Sequence, residues 1–244
     1  MHFASALRFS LTLIGLLPAC RPTAPPVAAV AAPASGFATE IAAFTAWDAR
    51  NATPANPIVF AGSSSIRLWN TAERFPGLPI VNRGFGGAQL ADVNQYVNET
   101  VLRYRPRVVV LYAGDNDINA GRTNDQVFAD YETFVASVHG ADSTVDIVFI
   151  PIKPSLQRWA LWPRMKEVNA RILAFVQGHA HLRYVDVATP MLGSDGKPRP
   201  ELFMADGLHM KPAGYDVWTS GLKPHLDSLS VRARRTSAGV TAVP

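Results

Sequence analysis

Cysteine is almost missing from this sequence: among 244 residues there is one, Cys20. A single thiol cannot close an internal disulfide or supply a cysteine-rich zinc site, so any fold must rest on its own core. Charged residues are also sparse, at 17% against a usual figure of about 25%, while 48% of residues are apolar. That balance excludes a disordered chain and a charge-patterned coiled coil. No internal repeat is evident, and the central part of the chain has no run of 18 apolar residues, so neither a solenoid nor a membrane span is expected there. Acidic residues are absent from both ends, all 19 falling between Phe37 and Ser230. Five of the 23 basic residues (Arg8, Arg21, Arg232, Arg234 and Arg235) lie outside that stretch, which keeps 18 basic against 19 acidic. The net charge of +4 therefore belongs to the ends. A basic tail without a recognition motif does not make a nucleic-acid-binding protein, and no nucleic-acid partner is expected.

The two ends read as appendages. Residues 1–20, MHFASALRFSLTLIGLLPAC, have a short start with Arg8, an apolar stretch from Leu11 to Leu17 and then small residues. This is the layout of a secretory signal, and the apolar stretch is too short to span a bilayer. Its last four residues, Leu17-Pro18-Ala19-Cys20, resemble the lipobox of bacterial lipoproteins, in which the cysteine becomes the lipidated first residue of the mature chain. The resemblance implies an exported envelope protein attached to a membrane at Cys20, although Pro18 departs from the usual residue there. Residues 21–36 are rich in Pro and Ala and read as a semi-extended tether. Residues 231–244 lack a periodic apolar face and read as a flexible basic tail. The remaining body, 37–230, has the length of one domain.

Within the body, short apolar runs alternate with helical patterns. The runs are Ile58 to Ala61, Ile80-Val81, Val108 to Tyr112, Ile147 to Ile150 and Tyr184 to Val187. Several are continuous and β-branched, as in parallel strands covered on both faces. Leu90, Val93, Val97 and Val101 keep one helical face apolar. Val127, Tyr131, Phe134, Val135 and Val138 repeat that pattern after a Thr123-x-x-Gln126 capping box, and Pro163 opens a third helix carrying Met165, Val168, Ile172 and Val176. The alternation gives an α/β fold, an open sheet of five parallel strands between helices. Ligands bind such sheets at the carboxyl ends of the strands, so chemistry is sought just after each run.

The first run ends in Gly62-Ser63-Ser64-Ser65-Ile66, where small residues at a strand-to-helix turn can expose a hydroxyl. Taken alone it is also an ordinary serine cap, and it does not match the G-x-S-x-G elbow. The second run ends in Asn82-Arg83-Gly84-Phe85-Gly86-Gly87, whose glycines either present an amide to a ligand or serve a turn. Gln89 stands where a dinucleotide fingerprint needs its third glycine, which speaks against a nucleotide cofactor. The third run ends in Gly114-Asp115-Asn116-Asp117; Asn116 can aim an amide at an oxyanion, or simply form an Asx turn, while ligands at calcium-loop spacing are missing. Near the end, Asp206-Gly207-Leu208-His209 puts a carboxylate three residues before an imidazole, close enough to hold its tautomer.

Ser64, Gly87, Asn116 and Asp206 with His209, in this order, resemble the blocks of the SGNH hydrolases, also called GDSL-type esterases. The resemblance runs from about Phe37 to Leu229. It implies a flavodoxin-like three-layer α/β/α sandwich with a shallow site, in which Ser64 is the nucleophile, His209 the general base and Asp206 its orienting acid. The oxyanion hole would comprise the Ser64 and Gly87 amides and the Asn116 side chain. No metal or organic cofactor is implied. The first block departs from the family's Gly-Asp-Ser in having Ser63 for Asp, and the triple serine leaves Ser63 and Ser65 as rival nucleophiles. Trp69, Phe85, Arg158, Trp159 and Trp162 are candidates for the wall of an acyl or sugar pocket, although indoles at helix starts equally serve a core. The expected substrate is a small-molecule or glycan ester with a short acyl group. The competing class is an envelope binding module without turnover, which has no need of an Asp206-His209 pair.

Overall fold

The structure, a computed structural model, describes Met1 and residues 36–240, the last ten of these through their backbone alone. The leader, Cys20, most of the linker and residues 241–244 lie outside the described residues. Elements appear in the order α1 (Ala38–Asp48), β1 (Ile58–Gly62), α2 (Ser64–Arg67), α3 (Thr71–Arg74), β2 (Ile80–Gly84), α4 (Leu90–Gln95), α5 (Val97–Thr100) and β3 (Val108–Tyr112). Then follow α6 (Asp115–Asn119), α7 (Asn124–Ala141), β4 (Asp146–Phe149), α8 (Trp162–Gln177), β5 (Leu182–Tyr184) and α9 (Pro212–Val240). None of the described helices is long and apolar enough to cross a membrane.

The five strands form one parallel sheet in the order β2-β1-β3-β4-β5. Strands alternate their side chains between faces, and here both faces are apolar. Val59, Ala61, Val109, Leu111, Ile147 and Phe149 pack under α1, α4, α5, α7 and α8. Ile58, Phe60, Val108, Val110, Tyr112 and Val148 pack under α2, α9 and the connections before it. The result is the expected three-layer α/β/α sandwich. Because β2 lies on one side of β1 and β3 on the other, the chain reverses its winding between β1 and β3, and a crevice opens at their carboxyl ends. Gly62 ends β1 there with φ of +131°, and a Cβ on it would lie 1.9 Å from the Tyr112 carbonyl oxygen. Only glycine lets the two strands close at this edge.

Local signals hold where they were strong. Thr123 and Gln126 form the reciprocal capping box of α7, and Pro163 stands in the first turn of α8. The helical pattern from Leu90 to Val101 is instead split at Tyr96 into α4 and α5, so its apolar residues are buried by two short helices rather than one. The fifth strand lies two residues earlier than the pattern suggested. Val185 donates the last backbone bond to Phe149, and β4 then turns off into Pro151, which has no N–H to continue the ladder. Val185 and Val187 are still buried, which is the source of the apolar signal. The backbone of α9 remains helical to Val240, past the boundary at Ser230 that the sequence suggested for the body.

Candidate active site

At the crevice edge, the Ser63 amide donates to the Tyr112 carbonyl and its own carbonyl starts the turn of α2. Ser64 is thereby the first helical residue, partly exposed, whereas Ser63 and Ser65 are buried. Of the three serines, Ser64 is the one whose side chain is directed outward, toward His209. The Ser64 hydroxyl donates to His209 Nε2 at 3.1 Å, while Ser65 lies beneath Tyr215, which bonds its carbonyl. Asn82, on β2, donates to the carbonyls of Ile66 and Trp69 and accepts from the Gly84 amide, which ties α2 to the sheet.

His209 comes from a tight turn closed by Met204 N–H to the His209 carbonyl and Gly207 N–H to the Met204 carbonyl. Asp206 serves this turn twice. Its Oδ1 accepts the amides of Leu208 and His209 at 2.9 and 3.0 Å, and its Oδ2 lies 2.6 Å from His209 Nδ1. The Leu208 amide first, and then the imidazole, holds the Asp206 carboxyl down to a pKa of about 2. An ionised carboxylate can only accept, so the imidazole proton sits on Nδ1 and Nε2 keeps its lone pair for the serine. In this arrangement Nε2 lies within reach of the Ser64 proton.

Asn116 enters from α6. Its Nδ2 donates to the Ala88 carbonyl at 2.9 Å and its Oδ1 accepts from Arg158 Nη1 at 3.0 Å. A flipped amide would face donor to donor and acceptor to acceptor, so the orientation is fixed, with one Nδ2 hydrogen left over. Gly87 adopts φ of +78° between the Gly86 amide, bound by Glu40 of α1, and the start of α4. Neither the Ser64 nor the Gly87 amide has a protein acceptor among the described residues. Among the described residues there is also no group of three or more His, Cys, Asp or Glu able to hold a metal ion.

The aromatic candidates divide. Trp69 and Phe85 are buried: Trp69 packs against Phe60, Phe75, Tyr215 and Trp218, and Phe85 against Phe37 and Tyr96. Neither can wall a pocket, because each fills the core beneath the loop that carries it. Trp162 is likewise buried, with its ring stacked near that of Trp159. Trp159 is partly exposed and borders two clefts of about 440 and 490 Å³, one shared with Leu156 and the 193–201 loop. Arg158 faces inward, toward Asn116 and Asp115.

Of three supporting residues, Asp117 lies in the Gly114 to Asp117 motif that the sequence offered, and two, Asn169 and Lys153, were not singled out from it. Asp117 Oδ1 accepts the Leu90 amide at 2.9 Å, and burial first of all pushes its carboxyl up to about 6. Asn169 of α8 clamps both the N–H and C=O of Ile152. Lys153, one residue on, is buried beside Tyr112 and Asp115. The rule of looking just after each strand reaches Lys153, but nothing local distinguishes it from a solvated lysine.

Comparison with known proteins agrees with this architecture. The model of the GDSL-like lipase/acylhydrolase family matches residues 62–217. No curated protein matches the chain. Among solved structures, a GDSL-like lipase from Bacteroides thetaiotaomicron superimposes with a TM-score of 0.68 at 20% identity, over 77% of this chain and 97% of that one. A carbohydrate esterase family 3 protein from Talaromyces cellulolyticus and an acetyl esterase mutant with an acetate ion each give 0.55 at 18% identity, over 71% of this chain and 97% of theirs. At such identities these structures speak for the fold.

Proposed function

The chain belongs to the GDSL-like lipase/acylhydrolase family, and from that premise we propose that it is a serine esterase which removes short acyl groups, acetyl above all, through an acyl-Ser64 intermediate. The carrying observation is the continuous hydrogen-bond chain from Ser64 Oγ through both imidazole nitrogens of His209 to Asp206. A serine hydroxyl is a weak nucleophile until a base takes its proton during attack. His209 Nε2 takes it as Oγ bonds to the ester carbonyl carbon, and the imidazolium that forms is stabilised by Asp206. The same proton then passes to the departing alcohol, and water repeats the sequence to release the acid. The free Nδ2 hydrogen of Asn116 and the Ser64 and Gly87 amides serve the oxyanion; one such donor is worth about 2.7 to 4 kcal/mol.

Short acyl groups are favoured because the acid-base pair is open to solvent, with side-chain exposures of 29% for His209 and 44% for Asp206. One structural neighbour is an acetyl esterase, which agrees with that preference, and another is a carbohydrate esterase, which agrees with a glycan ester. Trp159 offers a face on which a sugar ring of a glycan ester can stack. A module that only binds ligand has no use for an aligned serine and imidazole. The same reading takes residues 1–20 as an export signal and Cys20 as a lipid anchor facing the cell envelope. Labelling with a lipid precursor checks the anchor, with Cys20→Ser as control.

Hydrolysis of p-nitrophenyl acetate, butyrate and octanoate and of acetylated xylan tests the reaction. Acetate and xylan are expected to be cleaved best, and Ser64→Ala to lower kcat by about 10⁶. Absence of serine-dependent hydrolysis on every ester overturns the esterase reading. Loss of activity in Ser63→Ala or Ser65→Ala, with Ser64→Ala active, overturns the choice of nucleophile.

A further inference from the structure

Below the oxyanion side of the site, two cations share one carboxylate. Lys153 Nζ lies 3.5 Å and Arg158 Nη1 3.1 Å from Asp115 Oδ2, with side-chain exposures of 1% for Lys153, 11% for Arg158 and 6% for Asp115. Buried charge is costly and is kept where it is paired. The Lys153-Asp115 pair, with the Tyr112 hydroxyl 3.3 Å from Nζ, already satisfies that need. Burial pulls the Lys153 ammonium below its usual range and Asp115 opposes the shift, so a second cation there works against Lys153. The chain nevertheless brings Arg158 in, and the nitrogen that meets Asp115 also donates to Asn116 Oδ1 at 3.0 Å.

The loop that carries Arg158 is itself fixed. Asn169 clamps Ile152, the Arg158 amide donates to Ser155 Oγ, and the Gln157 amide donates to the Gly207 carbonyl inside the Asp206-His209 turn. A guanidinium on the oxygen of a carboxamide draws electron density from its nitrogen, and in a partly buried setting that effect is less screened than in water. Its geometric effect is as direct, since it admits only one orientation of the amide.

Resting on the esterase reading above, we propose that Arg158 is a positioning residue that orients and polarises the Asn116 amide as an oxyanion donor, with Asp115, itself held by Lys153, fixing Arg158 in turn. It touches no substrate. The loop that would have supplied a substrate-facing arginine instead joins the oxyanion donor to the acid-base turn.

Kinetics of the full chain on p-nitrophenyl acetate provide one test. Arg158→Met is expected to lower kcat about tenfold with KM within about twofold, as for loss of a charge-assisted hydrogen bond to a catalytic group. Arg158→Lys should recover part of that loss. In an Asn116→Ala background, Arg158→Met should change kcat by less than about twofold, because the two residues act as one unit. A second readout does not need turnover: the Asn116 side-chain amide protons, identified in nuclear magnetic resonance spectra by their loss in Asn116→Ala, should shift upfield in Arg158→Met as the amide loses its polarising partner. Equal losses in both backgrounds, a raised KM at constant kcat, or unchanged amide signals overturn the proposal. If the parent shows no Ser64-dependent hydrolysis, the esterase reading falls, and the amide signals still decide whether Arg158 positions Asn116.

Discussion

Asp206 holds His209 by two routes at once, Oδ2 at 2.6 Å from the imidazole Nδ1 and Oδ1 on the His209 amide at 3.0 Å. One carboxylate therefore sets both the tautomer of the ring and the backbone turn that presents it. Asp206→Asn keeps an oxygen for the amides but places an amide nitrogen or an un-ionised group before Nδ1. We expect kcat to fall by about 10⁴ while the thermal midpoint changes little, as for a lost tautomer in a Ser-His-Asp arrangement. A loss under about tenfold in the same ester assay contradicts this role.

Trp69 and Trp159 look alike in the sequence and should behave oppositely. Trp69 is 2% exposed within an aromatic cluster, so Trp69→Ala should cost about 3 to 5 kcal/mol of stability in urea unfolding. Trp159→Ala should leave unfolding within about 1 kcal/mol and raise KM for acetylated xylan more than for p-nitrophenyl acetate. Equal stability losses at both positions refute this division.

Gly62 is predicted to tolerate no side chain. A Cβ would lie 1.9 Å from the Tyr112 oxygen, at a φ of +131° that L-residues rarely adopt. Gly62→Ala should destabilise by about 3 kcal/mol or more, or abolish soluble expression. Unfolding midpoints in denaturant check it, and a shift worth less than about 1 kcal/mol is inconsistent with the closed edge.

Asp117 makes stability depend on pH in the direction opposite to most carboxylates. Its pKa is raised from the ordinary carboxylate range to about 6, chiefly by burial, and its Oδ2 has no hydrogen-bond partner among the described residues. The folded protein therefore holds this proton where the unfolded chain has released it. The contribution of Asp117 to stability should be fullest below about pH 4 and decline as pH rises to about 6 and beyond. Asp117→Asn, which still accepts from Leu90, should remove that decline. Thermal unfolding from pH 4 to pH 8, compared between parent and variant, reads the difference; identical slopes argue against a buried, protonated Asp117.

Much of the sandwich was legible because its signals are local. Continuous β-branched runs, the Thr123-Gln126 box and Pro163 each act within a few residues, and each lies where its pattern indicated. Patterns that depend on partners were shifted. The Leu90 to Val101 stripe fitted one helix yet is buried by two, and β5 ends where β4 stops pairing. The site divides the same way. Asp206 and His209 lie in one turn and were readable as a pair, while Lys153 and Asn169 act through contacts made 38 and 17 residues away along the chain.

The sequence by itself determined the alternation of strands and helices, the placement of candidate groups just after strands, and a nearly neutral body between basic ends. These follow from periodicity, turn residues and counts, none of which requires a partner. Only the tertiary structure decided which of three consecutive serines faces the imidazole, that Trp69 and Phe85 lie inside, and that Arg158 points at Asn116. Each depends on the direction of a side chain relative to groups far away in the chain. Ser64 and His209 are 145 residues apart, and the bond between them exists because β1 closes against β3 at Gly62 while the turn of Asp206 is carried over the same edge.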